Sequence, residues 1–220
     1  MSNDPLKTLR LQKRLDAAAV ALVEGRLEEA QAIYGQILAE EPGHAPALHG
    51  LGVLHVRAGR PDAGEQCLRQ AVEAEPESPR LLNDLGEALR LQGKKAEARA
   101  VYDEALRLDP EDAQLHNNLG ALLLEDDPES ARQHFLDAIR LAPEDPHAYN
   151  NLGVLLEHQG RHADALACYE AAVTVDPAYQ VALENHRALL GKHPELLEAS
   201  LNRLLAQAEA LLAAGEAKNG

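Results

Sequence analysis

A chain of 220 residues with 45% apolar and 26% charged content has the composition of a soluble globular protein, long enough for one large domain or two small ones. Its 36 acidic against 21 basic side chains give a formal charge of -15, and no basic stretch exceeds two residues in a row, which argues against nucleic acid and anionic membrane surfaces as partners. The longest apolar run, Ala17 to Val23, is seven residues where a spanning helix needs about 20, so no membrane insertion is expected.

In chain order, a first helix is expected to reach back to Asp4-Pro5. Lys7, Arg10, Lys13 and Arg14 precede the apolar run, but that run is short, rich in Ala and adjoined by Asp16, a poor secretory leader. Beyond it the prolines are periodic. Pro42, Pro76, Pro110, Pro143 and Pro177 fall at intervals of 34, 34, 33 and 34, each after a stretch of helical periodicity. Leu51-Gly52, Leu85-Gly86, Leu119-Gly120 and Leu152-Gly153 recur in step with them. Ala30, Gly64, Ala98, Ala131 and Ala165 follow, each four residues before Tyr34, Leu68, Tyr102, Phe135 or Tyr169. Leu48, Leu51 and Leu54, or Leu82, Leu85 and Leu89, make a first helix A, which meets a second helix B at the small residues.

Turn chemistry agrees with paired helices. Gly25, Gly59, Gly93 and Gly160 lie where helix A must stop, a place for positive φ. The fourth repeat lacks this Gly and is one residue short; Asp127-Pro128 is expected to cap the next helix there, as Ser78-Pro79 and Asp145-Pro146 start other helices. After Pro177 comes a sixth helix A with His186-Arg187 in place of Leu-Gly, then a helix from about Pro194 to Ala214. Its stripe of Leu197, Leu201, Leu204, Ala208 and Leu211 suits packing along another helix, either as a cap or as a seam for self-association.

This period, with Leu-Gly, then Ala, then an aromatic, then Pro, resembles the tetratricopeptide repeat. The resemblance covers about Leu11 to Pro177 and implies an all-α right-handed superhelix. Repeats are expected at about 11–44, 45–78, 79–112, 113–145 and 146–179, with a degenerate sixth pair and cap at 180–215 and a tail at 216–220. It further implies that the A helices line a concave surface that holds ligands.

The residues two and one places before Leu-Gly, or its sixth-repeat counterpart, should then face that groove: His49 and Gly50, Asn83 and Asp84, Asn117 and Asn118, Asn150 and Asn151, Glu184 and Asn185. Asn is a poor helix former, so mid-helix Asn needs a reason. One reason is bonding between neighbouring A helices. The other is a peptide ligand, whose backbone N–H and C=O an amide matches. The row of Asp84, Asn118, Asn151 and Asn185 is similar to the asparagine ladder of the O-linked N-acetylglucosamine transferase repeats; only the ladder is matched, so transferase activity is not expected of these 220 residues. The dicarboxylate clamp of chaperone-binding repeats is absent: its places hold Leu15, Ala19, Asn83 and Glu87, or His49 and Val53 in the next frame. Arg57, Arg80 and Arg90 toward one half of the groove and Glu125, Glu157 and Glu184 toward the other suit an extended ligand of opposite polarity.

Catalysis and metal binding find no residues. His158 and His162 flank a helix break at Gly160, and HExxH, phosphate loops and nucleophile elbows are missing. His55 and His116 stand where sister repeats are apolar and read as packing residues. Cys67 and Cys168, 101 positions apart without CxxC, suit free thiols in a reducing cytoplasm. The expectation is therefore a non-enzymatic, cofactor-free adaptor that binds an extended peptide in its groove. The alternatives are homo-oligomerisation through the helix at 194–214, or service as an accessory subunit of an enzyme or assembly complex.

Overall fold

The computed structural model describes residues 5–198, 200–203 and 205. Its regular elements are helices, with no strand among the described residues. The chain forms two compact units that meet at residues 122 and 123.

The first unit begins with α1 (Pro5–Val23) and α2 (Leu27–Glu40). Two further pairs follow, α3 (Ala45–Arg57) with α4 (Pro61–Ala74), and α5 (Pro79–Leu91) with α6 (Lys95–Leu108); α7 (Ala113–Leu123) then starts the next. The odd-numbered elements are the expected A helices. Within each pair the partners pack on one another, and α2 on α3 and α4 on α5 link successive pairs. Packing is close because the contact residues are small: a Cβ on Gly86 would stand 2.5 to 2.8 Å from ring atoms of Tyr102, which is fully buried. Gly52 and Gly64 meet face to face in the second pair, each Cβ position being within 3.0 to 3.3 Å of the other's carbonyl oxygen. At the amino-terminal end Ala18, Ala21, Ala30, Tyr34, Ile37, Ala47 and Leu54 form one core, with Leu11 and Leu15 packed against it.

The second unit contains α8 (Pro128–Leu141), α9 (Pro146–His158), α10 (His162–Val175) and α11 (Gln180–Lys192), packed consecutively. Tyr169 fills the space over Gly153 as Tyr102 does over Gly86.

Turn residues behave as the sequence implies. Gly25, Gly59, Gly93 and Gly160 have φ of 76°, 71°, 74° and 72°. Asp127 accepts from the Ser130 N–H at 3.2 Å, Ser78 from that of Leu81 at 3.5 Å and Asp145 from that of His147 at 2.9 Å, each one residue before a Pro at the first helical position. The first helix does begin at Pro5; Asp4 lies outside the described residues.

The carboxy-terminal helix differs from expectation. It opens with a 3-10 turn, Pro194–Leu196, before 197–198, 200–203 and 205 resume helical geometry. Leu197 and Leu201 of the expected packing stripe are 50% and 52% exposed, while Ser200 is buried. Ser200 donates to Glu170 of α10 at 2.5 Å and Arg203 Nε to the same carboxylate at 2.8 Å. A buried carboxylate left alone is costly, so it is the polar face that docks. Leu204, Ala208 and Leu211, and the tail from 216, lie outside the described residues.

Candidate functional site

The residues before Leu-Gly follow one rule in both units. The residue two places before Leu on one A helix bonds the residue one place before Leu on the next. In the first unit His49 of α3 donates from Nε2 to Asp84 Oδ2 of α5 at 2.5 Å, and Asn118 of α7 donates from Nδ2 to Asn83 Oδ1 at 2.8 Å. In the second, Asn185 of α11 donates to Asn150 Oδ1 of α9 at 2.9 Å. The receiving amides Asn83 and Asn150 are buried, whereas Asn118 and Asn185 are half-buried and keep their own carbonyl oxygens uncommitted among the described residues. Asn117 and Asn151 are also half-buried; Asn151 accepts a long 3.5 Å contact from Asn150.

The first unit contains a groove, a cavity of about 330 Å³. Leu15 and Ala19 of α1 line one side; His49, Val53 and Arg57 of α3 line the other, with Arg80 of α5 beyond. A second hollow of about 230 Å³ shares Val53 and Arg57 and continues to Asp84 and Glu87 of α5. The A helices therefore supply most of the lining, the exceptions being Tyr34 of α2 and Leu68 of α4. Tyr34 lines the first hollow. Its ring lies against Gly50, leaving no room there for a Cβ. Burial pushes the Tyr34 hydroxyl pKa up, opposed by the nearby Arg80 guanidinium.

Charged residues divide into committed and uncommitted ones. Arg90 is held by Glu87 through two bonds of 2.7 Å. Glu157 accepts from Lys192 at 2.9 Å and from the Tyr169 hydroxyl at 3.1 Å; the Lys192 bond, more than burial, sets its carboxyl below the usual range. Asp16 accepts from Gln12 at 2.8 Å. Arg57 and Arg80 are exposed and make no hydrogen bond or ion pair among the described residues. Of the expected site residues, Arg57, Arg80 and His49 converge on one groove, Asp84 joins at its extension, and Asn83 turns into the repeat interface.

Sequence reasoning passed over Tyr34 as a groove residue, reading it as packing alone. The signal was Gly50, the one place before Leu where neither Asp nor Asn stands. Glu65 of α4 was also missed: buried, it accepts from Arg69, Gln92 and Lys94 at 2.6 to 2.8 Å. Burial would raise its carboxyl, but these bonds prevail and hold it at about 2. Among the described residues no three His, Cys, Asp or Glu side chains cluster as metal ligands would, and no helix is long and apolar enough to cross a membrane.

Helix pairs of 34-residue period, joined at small residues and grooved along their first helices, define a helical-repeat protein of the protein-binding class. The chain belongs to the tetratricopeptide repeat family, whose model matches residues 15–65, 49–113, 96–127 and 121–180, and whose members mediate protein–protein interactions. It is 30% identical over 121 residues to the mouse protein O-mannosyl-transferase TMTC1, a match over 53% of this chain and 13% of that one. The chain thus spans about an eighth of that relative's length, within repeats. Among solved structures it is similar to YrrB, described as a tetratricopeptide repeat protein with an unusual peptide-binding site, at TM-score 0.59 and 22% identity over 79% of this chain and 90% of that one. It is also similar to a Thermobaculum terrenum O-GlcNAc transferase, at TM-score 0.58 and 26% identity over 64% of this chain and 27% of that one. The overlap with the two transferases covers only a minor part of their length.

Proposed function

We propose that this protein is a non-enzymatic adaptor that holds an extended peptide segment of a partner in the groove of its first unit. The observation that carries this reading is the groove itself: an open channel of about 330 Å³ walled by α1 and α3, apolar at Leu15, Ala19 and Val53, with polar groups at its edges. Asn118, whose carbonyl oxygen is uncommitted among the described residues, adds an acceptor that suits a peptide N–H. In the second unit Asn185 offers the same acceptor. Two free cysteines on separate helices accord with a reducing cytoplasm as its setting.

The test is selection of random displayed peptides on the intact chain, followed by affinity measurement with Ala19→Trp. Ala19 is exposed and lines the groove, so the bulky ring fills the channel while stability changes by no more than about 0.5 kcal/mol. Selected peptides should lose binding to this variant and protect α1, α3 and α5 from hydrogen exchange. Undiminished binding, or protection confined to the B helices, refutes the groove.

A second reading has its own observation. Leu197, Leu201 and Leu205 are four apart and each at least half exposed, a stripe suited to a second copy. Light scattering over a range of concentrations should then show an assembled parent and a monomeric Leu197→Glu, Leu201→Glu variant; a monomeric parent removes it.

A further inference from the structure

We infer that the groove of the first unit selects its peptide by one internal acidic side chain, bound between Arg57 and Arg80. This rests on the peptide-groove reading above. Along the groove and its extension every carboxylate already has a partner in the chain: Asp16 has Gln12, Asp84 has His49 and Glu87 has Arg90. Arg57 and Arg80 have none among the described residues, although acidic side chains outnumber basic ones 36 to 21. In a chain of charge -15, most arginines would find a carboxylate with little positional cost, so two left open on one channel are available to an anion from outside.

The surroundings determine which anion. Arg57 and Arg80 both line the cavity whose remaining lining includes Leu15, Ala19, Val53 and Tyr34, so a carboxylate bound to them sits beside apolar surface, where charge-assisted bonds gain strength over those in open water. The channel does not end at the arginines. It runs back along α1 to Gln12 and forward through Val53 and Arg57 to Leu68 and Glu87, leaving room for backbone on both sides of the acid. A carboxylate from within a peptide therefore fits better than one at its end. Acidic neighbours are disfavoured because Asp16 lines the same cavity as the two arginines and Glu87 lines the adjoining hollow with Arg57. The ligand is an extended segment with a single Asp or Glu set among neutral residues.

Immobilised full-length protein is offered amidated nine-residue peptide pools, randomised over Ala, Val, Leu, Ser and Asn with a central Glu, Gln or Lys, and captured peptide is quantified by mass spectrometry. A fourth pool has central Gln and a free carboxy terminus. The Glu pool should be captured about tenfold above the Gln pool at low salt, with Lys lowest and the free-terminus pool no better than Gln. Arg57→Gln with Arg80→Gln, both exposed positions, should bring Glu down to the level of Gln. The preference should shrink as salt rises. Equal capture of Glu and Gln pools, still blocked by Ala19→Trp, overturns acid selection and leaves the peptide groove standing. Capture of no pool above the Ala19→Trp level overturns both. A gain confined to the free-terminus pool overturns the internal acid in favour of a chain end.

Discussion

Asn118→Ala separates two opposed expectations for the repeated asparagines. Seen only as a groove residue, Asn118 should be dispensable for folding, and its replacement by Ala should raise helix propensity by at most about 0.7 kcal/mol. The structure reverses the sign. Asn118 Nδ2 is the donor to Asn83 Oδ1, and Asn83 is only 6% exposed. Removing the donor strands a buried acceptor, which costs about 1 to 3 kcal/mol. Against the propensity gain the net loss is roughly 1 kcal/mol. For a chain of this size that lowers Tm by about 2 to 4 °C. Repeat arrays need not melt in one step, so urea unfolding followed by circular dichroism should be paired with hydrogen exchange at α5 and α7, where the loss is expected to concentrate. Asn83→Ala is the milder change, since the amide it releases is half-exposed and water can bond it. The double variant should lose less than the sum of the two, with a coupling on the order of 1 kcal/mol. An Asn118→Ala protein that melts at or above the parent, with additive single effects, refutes the staple.

Gly86→Ala should destabilise by about 1 to 3 kcal/mol, because its Cβ would meet the fully buried Tyr102 ring at 2.5 to 2.8 Å; Gly35→Ala, in α2 with nothing within 4 Å, should instead stabilise by about 0.5 to 1. Urea midpoints compare the two, and equal effects would deny the ring contact its role. Glu65, whose folded pKa of about 2 lies below its usual 4.5, adds stability that is fully present above about pH 4.5 and is lost as pH falls toward 2. A shift of that size corresponds to about 3 kcal/mol, which screening of the partly exposed Arg69 and Lys94 reduces to roughly 1 to 2. Glu65→Gln should therefore lower neutral stability and flatten the acid limb, and an unchanged limb would refute the assignment.

Those elements of the fold that depend on backbone chemistry were legible in the sequence. Positive φ at Gly25, Gly59, Gly93 and Gly160 follows from where helix A must stop, and the caps at Ser78, Asp127 and Asp145 follow from a short polar residue before Pro. The last helix was legible only in part. Helical period marks Leu197 and Leu201 as one stripe, but period alone does not reveal that Glu170, thirty residues earlier, is buried and draws Ser200 and Arg203 toward it. An apolar stripe predicts the docked face only when no stronger demand lies on another side of the helix.

The asparagine row carries the same lesson at a finer scale. Aligned at the repeat period, Asp84 and Asn118 appear as successive rungs facing a ligand. The bonds that form run at a separation of 35 residues, not 34: His49 to Asp84, Asn83 to Asn118, and Asn150 to Asn185. That extra residue is geometric. Adjacent A helices are offset so that the residue two before Leu in one repeat meets the residue one before Leu in the next: Asn118, the second Asn of its NNLG, reaches back to Asn83, and Asn150, the first of its NNLG, receives Asn185. At Gly50 the pattern breaks toward the amino terminus: no staple leaves that position, the Tyr34 ring takes the space, and the groove of the first unit lies alongside. Asparagine pairs therefore mark where repeats are tied together, and the interruption of the pattern coincides with the hollow of the first unit.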